Sequence, residues 1–148
     1  MRIFTLLILL VSSTVAFANA PVETGTFNNK AIYGYDTVAY WTDNKARKGI
    51  DEFVYTWRGA QWHFVSAENK ALFVADPEKY APQYGGYCAF GMANDKLVSI
   101  DEDAFQIYKG KLYLNYSKRV AERFNEDLDY FIAEADRIYP EKVDLNTK

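Results

Sequence analysis

The strongest constraint on the fold is an internal repeat in the sequence. Residues 57–80 match residues 108–131 at a constant offset of 51 positions, without an insertion or a deletion. Four matched positions hold identical residues, which pair Gly59 with Gly110, Ser66 with Ser117, Phe73 with Phe124 and Asp76 with Asp127. A match of this kind indicates that one supersecondary unit occurs twice in the chain.

Each copy has the pattern of a β-hairpin that leads into a helix. Runs of β-branched and aromatic residues flank Arg58-Gly59 in the first copy and Lys109-Gly110 in the second. Glycine permits the positive φ of a tight turn at these points. Ser66 and Ser117 follow the second strand of each hairpin, where a hydroxyl oxygen can accept the first free N–H groups of a helix. The repeated unit is therefore predicted to be hairpin, cap and helix.

A further helix is predicted at the end of each copy. In the first copy it begins at Asp76-Pro77, with aspartate as the N-cap and proline as the first helical residue. Its counterpart follows Asp127, presents one apolar stripe and is predicted to end at Pro140. Two hairpins with helices on one face of an antiparallel sheet predict an α+β domain. The domain is placed at residues 21–140, with repeats at about 31–84 and 85–138, and a polar tail covers residues 141–148.

The first twenty residues have the layout of a secretory signal peptide. Arg2 is followed by an apolar run over residues 3–11 and then by small residues up to Ala20, which is the charged, apolar, A-x-A order of such signals. The apolar run is shorter than the roughly 20 residues that span a bilayer. We therefore predict cleavage after Ala20, a periplasmic or secreted protein, and no membrane span once the signal is removed.

Charge and cysteine content narrow the range of partners. The chain is mildly acidic, with a net charge of −3, which disfavours nucleic acid and anionic membrane surfaces. Its single cysteine, Cys88, excludes an internal disulfide. An unpaired thiol outside the cytoplasm calls for burial, metal binding or pairing with another chain. These observations leave the oligomeric state open.

Both copies resemble the YHS domain family, whose pattern runs from a D-P-V-C-G-M opening to Y-x-G-x-x-Y-x-F-C-S-x-x-C, a phenylalanine and N-P-x-x-Y. The first copy matches this pattern at Tyr55, Gly59, Trp62, Phe64, Ser66, Phe73, Pro77 and Tyr80, and residues 34–40 are similar to the opening. The second copy matches it at Gly110, Tyr113, Ser117 and Phe124, and residues 88–92 are similar to the opening, stretched by two residues. The chain therefore looks like an exported, tandem, degenerate YHS-domain protein.

The resemblance implies the YHS fold and a link to metal handling. In the family, the opening cysteine and the F-C-S-x-x-C pair are taken to bind a soft or borderline metal, and such domains accompany copper and other heavy-metal transport proteins. The corresponding slots hold Ala39, Val65 and Asn69 in the first copy and Cys88, Tyr116 and Val120 in the second. The inherited thiolate site is thus reduced to Cys88.

Cys88 is the residue on which a metal site would depend. It follows Gly85-Gly86 and precedes Met92 by four positions, and a thiolate with a thioether favours Cu(I) over harder ions. His63, the only histidine, becomes a third ligand if the first hairpin packs beside this loop. We predict Cys88, Met92 and His63 as ligands of a copper-type ion, with a metal ion or a metal-transport protein as the partner.

Other roles for these residues stay open. Cys88 and Met92 can also serve as small, adaptable core residues, and His63 as a hydrogen-bonded strand residue. A nucleophilic pair of Cys88 and His63 would need a third, orienting residue that the sequence does not show. We therefore expect that the protein is not an enzyme. Two hypotheses remain: a non-catalytic soft-metal protein, or a metal-free ligand- or protein-interaction module on the same fold.

Overall fold

The computed structural model describes residues 19–145. Within these residues, the elements are α1 (Ala39–Thr42), β1 (Ile50–Trp57), β2 (Ala60–Phe64), α2 (Ala67–Ala75), α3 (Pro77–Tyr80), α4 (Ala89–Ala93), β3 (Asp101–Tyr108), β4 (Lys111–Asn115), α5 (Lys118–Asn125) and α6 (Leu128–Lys142). The signal-peptide prediction falls on residues 1–18, outside the described residues, except for its last two positions. None of the helices in the described part is long and apolar enough to cross a membrane.

The α+β class is confirmed, but the two hairpins form two sheets. β1 pairs with β2 and β3 with β4, each as an antiparallel two-stranded sheet. The expectation of one antiparallel sheet with helices on one face was therefore wrong. A bulge interrupts each first strand, between Ile50 and Val54 and between Asp101 and Phe105, and bulges increase twist and end regular pairing. Outside the hairpin, Gln61 of β2 bridges to Lys30 of the preceding loop.

Local residue chemistry accounts for the hairpin turns. Arg58 and Gly59 have φ values of 49° and 72°, and Lys109 and Gly110 have values of 48° and 73°. Two central residues with positive φ define the turn whose twist matches that of paired strands. The two predicted turns are confirmed, and they have the same geometry.

The predicted helix caps are confirmed as well. The Ser66 hydroxyl accepts from the Asn69 N–H at 3.1 Å, and Ser117 caps α5 in the same way. Asp76 caps α3, which begins at Pro77, and Asp127 caps α6.

The prediction that α6 ends at Pro140 was wrong. The helix continues to Lys142, and the next residue, Val143, is buried and bridges to Asn19. Asp144 donates its N–H to the Asn19 carbonyl, so the chain after the helix is anchored. Proline removes one helical N–H, and its ring crowds the carbonyl four residues earlier, so these contacts are what hold the last turn beyond Pro140. Residues 146–148 of the predicted tail lie outside the described residues.

The core has two hydrophobic clusters, each of which contains the matched phenylalanine of one copy, and the cluster around Phe73 also includes residues of the second copy. Phe73 packs against Trp62, with ring centroids 4.9 Å apart, and its counterpart Phe124 packs against Tyr113 at 5.8 Å. All four side chains are buried. Cys88 belongs to the cluster around Phe73.

A tight turn lies at the start of each copy and extends the repeat beyond the matched residues 57–80 and 108–131. The turns lie at Ile32–Gly34 and Gln83–Gly86. Three successive residues in each have positive φ, namely Ile32, Tyr33 and Gly34 in the first turn and Tyr84, Gly85 and Gly86 in the second. A tyrosine follows each turn, and then Asp36 in the first copy and Cys88 in the second. The second turn therefore places Cys88 at the site described next.

Candidate functional site

Cys88 is buried at the N-terminus of α4, and its thiol is held by the protein itself. Its sulfur accepts the N–H of Gly91 and the N–H of Tyr116, each at 3.3 Å. The thiol can donate to Asn115 Oδ1, which lies 3.6 Å from the sulfur. Cys88 thus links α4 to the end of β4.

The thiol is protonated at neutral pH. Burial raises the pKa of Cys88, and the backbone N–H groups of Gly91, Tyr116 and Phe90 oppose this effect more weakly. The thiolate is the form that acts as a nucleophile or a metal ligand. Either reaction would first require removal of a proton from a buried group.

Cys88 has the same position in the second copy as Asp36 has in the first. The Asp36 carboxylate accepts the N–H of Val65 at 2.9 Å, and the Cys88 sulfur accepts that of Tyr116, which is the matched residue in the repeat. Asp36 also accepts from Val38 N–H at 2.8 Å and so caps the helical turn that follows. Both side chains therefore join a short helix to the end of a hairpin.

This equivalence corrects one reading of the sequence. The stretched opening placed Cys88 in the slot of Ala39, whereas the hydrogen bonds place it in the slot of Asp36. The backbone agrees, since Asp36 donates to the Arg47 carbonyl and Cys88 donates to that of Val98, again at matched positions. Cys88 is a capping residue in this fold.

The other two predicted ligands have their own surroundings. Met92 is fully buried in α4 and packs in the cluster around Phe124, whereas Cys88 packs in the other cluster. His63 is buried in β2, and its Nδ1 lies 3.3 Å from Asp51 Oδ1 in the same hairpin. Burial lowers the pKa of His63. The contacts of these side chains do not bring the three together.

Two further observations bear on metal binding and catalysis. Within residues 19–145, no three histidine, cysteine or acidic side chains are grouped so that they could hold a metal ion. In the same residues, no hydrogen bond joins His63 to Cys88, since the polar partners of Cys88 come from the second copy. The copper ligand set stays a prediction.

A cavity of about 340 Å³ opens beside the thiol. We call it the Cys88 cavity; its apolar lining comprises Cys88, Phe90, Gly91, Val98, Val120 and the ring of Tyr116, and its polar lining comprises Asn94, Lys96 and Arg123. The Arg123 guanidinium lies over the Phe90 ring, 5.4 Å from its centroid. Among the described residues, neither Lys96 nor Arg123 has an ion-pair partner, and no carboxylate lines the cavity.

Sequence reasoning missed the two cations of this cavity. Lys96 follows α4 and Arg123 lies on α5, so only the fold brings them to Cys88. The spacing of Lys96 and Arg123 in the sequence does not link either residue to Cys88.

Fold and site together define a small α+β repeat protein with a cationic, apolar cavity beside a neutral buried thiol. Comparison with known proteins found no family model, no curated protein and no solved structure that matches the chain. The function is therefore argued from the site.

Proposed function

We propose that the chain is an exported, non-catalytic binding protein that holds a small organic anion with an apolar body in the Cys88 cavity. The observation that carries this proposal is the combination of an apolar lining with the exposed cations Lys96 and Arg123. A volume of about 340 Å³ is at the lower end for small-molecule pockets. An unpaired guanidinium and ammonium, with no carboxylate beside them in the described lining, favour a carboxylate on the ligand.

Two features support a binding role over an enzymatic one. The Cys88 thiol is neutral because burial raises its pKa, and a neutral thiol is a poor nucleophile. His63, the only histidine of the chain, lies in the first hairpin, where its Nδ1 is 3.3 Å from Asp51 Oδ1, and no hydrogen bond joins it to Cys88 in the described residues. The cavity therefore offers shape and charge, without an activated group.

Export and family are part of the same proposal. Asn19 and Ala20 are exposed, whereas Pro21 and Val22 are buried, which supports cleavage after Ala20. The two hairpin-and-helix units, with matching turns and caps, support the YHS-like reading of the repeat. N-terminal sequencing of the exported protein should begin at Pro21, and a sequence that begins at Met1 would reject the export part.

A soft metal ion on Cys88 is the second candidate function. The observation that favours it is that the buried thiol forms part of the lining of the Cys88 cavity, which is the route by which an ion from a metal-transport protein would approach the sulfur. Binding would require deprotonation of Cys88 and the loss of two N–H contacts to its sulfur. Lys96 and Arg123 line the same cavity and repel a cation, so the organic anion is favoured.

Calorimetric titration with carboxylates tests the first candidate. The probes are benzoate and hexanoate, and benzamide and hexanamide are their neutral counterparts. Arg123→Gln should weaken carboxylate binding at least tenfold, since a charge-assisted hydrogen bond contributes roughly 1.5–3 kcal/mol. Arg119→Gln is the matched control because Arg119 is exposed on the same helix but does not line the cavity. Equal effects of the two variants, or equal binding of the amides, would reject the proposal.

A competition experiment separates the second candidate from the first. The reduced protein is titrated with Cu(I) in the presence of a chelator and compared with Cys88→Ala. If the variant binds Cu(I) as well as the wild type, the metal candidate is rejected. If only the wild type binds Cu(I), while both proteins fail to bind the carboxylates, the metal candidate replaces the organic anion.

A further inference from the structure

A second cavity, of about 320 Å³, lies where the two copies of the repeat meet. We call it the junction cavity. Its charged lining is Arg58 and Glu78 from the first copy and Lys111 and Asp136 from the second, and the rings of Tyr84 and Tyr139 form an aromatic wall. Two cations and two carboxylates therefore face one space that is separate from the Cys88 cavity.

Two of the four charged residues that line the junction cavity form an ion pair with each other, and the other two do not. Arg58 contacts Glu78, with 2.7 Å between Nη2 and Oε1. In the described part of the chain, Lys111 makes neither a hydrogen bond nor an ion pair, and Asp136 accepts only the neutral Tyr84 hydroxyl, at 2.9 Å. Lys111 and Asp136 thus line the same cavity with opposite charges but do not contact each other.

We propose that the junction cavity binds a small zwitterion of the α-amino acid class. The ligand's carboxylate pairs with Lys111, its ammonium group pairs with Asp136, and its side chain lies against the tyrosine wall. A simple anion would be attracted by Lys111 but repelled by the Asp136 carboxylate. A simple cation would be attracted by Asp136 but repelled by Lys111. A ligand with both charges satisfies both residues. The cavity corresponds to about ten water volumes, at ~30 Å³ each, which suits an amino acid.

The aromatic wall and Asp136 are held in place before any ligand arrives. The Tyr84 hydroxyl donates to Asp136 at 2.9 Å, its oxygen lies 3.3 Å from the Ile132 carbonyl oxygen, and its ring is buried. The Tyr139 hydroxyl donates to the Pro21 carbonyl at 2.6 Å. The two rings meet edge to face with centroids 5.8 Å apart. A ligand would therefore lose little to reorganisation of the site.

Calorimetric titration of the full exported chain tests this proposal with defined probes. L-alanine, L-leucine and L-phenylalanine carry both charges, N-acetyl-L-leucine keeps only the carboxylate, and L-leucine methyl ester keeps only the ammonium group. We expect at least one of the three amino acids to bind. We also expect both leucine derivatives to bind at least tenfold more weakly than L-leucine. Failure of all three amino acids to bind, or equal binding of a derivative, overturns the proposal.

Charge-removing variants locate the binding. Lys111→Gln and Asp136→Asn should each weaken amino acid binding at least tenfold. Lys111→Gln should also make L-leucine bind no more tightly than its methyl ester. Asp136→Asn should make L-leucine bind no more tightly than N-acetyl-L-leucine. Lys111 and Asp136 are exposed, so the variants are expected to fold, and an unchanged melting temperature checks this.

The controls use a neighbouring ion pair and the other cavity. Lys109 and Asp129 pair at 2.7 Å on the same hairpin and helix, outside the junction cavity. Lys109→Gln and Asp129→Asn should leave amino acid binding unchanged, as should Arg123→Gln in the Cys88 cavity. If the Lys109 variant weakens binding as much as Lys111→Gln, the assigned site is wrong.

Discussion

Gly85 lies under the chain segment that precedes the first copy, and Gly85→Ala should detach that segment. Gly85 has a φ of +62°, and an added Cβ would lie 1.8 Å from the Pro21 carbonyl oxygen. No side-chain rotation can relieve a contact between a Cβ and a backbone oxygen. We therefore expect residues 21–23 to leave their place against the second copy.

The cost can be worked out from the contacts that would be lost. Pro21 accepts from the Tyr139 hydroxyl, Glu23 donates to the Gly85 carbonyl at 2.9 Å, and Val22 is only 2% exposed. Two hydrogen bonds contribute about 1 kcal/mol each, and burial of a valine contributes about 1.5–3 kcal/mol. An alanine at positive φ adds a cost of about 1 kcal/mol. We expect a loss of about 4.5–6 kcal/mol, a large part of the stability of a small domain.

Gly110→Ala is a matched control in the same chain. Gly110 has a φ of +73°, but an added Cβ would meet no atom within 4 Å. This variant therefore has only the backbone cost, about 1 kcal/mol. The difference between the two variants isolates the contact of residues 21–23 with the second copy.

Urea unfolding followed by tryptophan fluorescence measures both effects, since the chain has three tryptophans. The free energy of unfolding should fall about 3.5–5 kcal/mol further for Gly85→Ala than for Gly110→Ala. The m-value of Gly85→Ala should also fall, because a detached segment leaves less surface to expose on unfolding. If both glycine variants lose the same free energy, the reasoning from the Pro21 contact is refuted.

Three other perturbations have defined outcomes. Burial lowers the pKa of His63, so the unfolded chain binds the proton at a higher pH than the folded chain does, and the free energy of unfolding falls as pH drops below about 6.5. His63→Gln should make this fall between pH 7 and pH 5.5 shallower in urea titrations, and an unchanged slope contradicts the reasoning. Native Cys88 should react with a maleimide far more slowly than in urea, and equal rates would contradict burial. Pro140→Ala should raise the melting temperature by adding an N–H to α6, and a lower value would contradict the helix continuing past residue 140.

The features predicted correctly from the sequence depend on residues close together in the chain. A glycine at a hairpin turn and a serine after a strand act on their own neighbours, so the pattern Arg58-Gly59 to Ser66 predicted its local structure in both copies. The end of α6 was predicted wrongly because a distant contact, between Val143 and Asn19, holds the chain beyond Pro140.

The two cavities depend on contacts between distant elements, which no local pattern contains. Arg123 reaches the Cys88 cavity from α5, and Asp136 reaches the junction cavity from α6 to face Lys111 of β4. The spacing of these residues in the sequence has no recognisable pattern, because the arrangement of the helices determines which of them meet. The metal ligand set was proposed from spacing alone, and His63 shows the difficulty, since it is held within its own hairpin by Asp51.

The comparison of Asp36 with Cys88 explains why one copy has an anion where the other has a neutral group. The Asp36 carboxylate also accepts from Asn69 Nδ2 at 2.7 Å, and the repeat places Val120 at the matching position of the second copy. A carboxylate there would lose one donor, and burying a charge with fewer hydrogen bonds is unfavourable.

A neutral thiol can be buried without these extra hydrogen bonds, and Asn115 Oδ1 accepts a hydrogen bond from it. Val120 also lines the Cys88 cavity, so the second copy has neither the buried anion nor the amide that would bind it. The cations Lys96 and Arg123 consequently have no internal counter-charge among the described residues around this cavity. The unpaired thiol and the proposed preference for an anionic ligand thus have one physical origin.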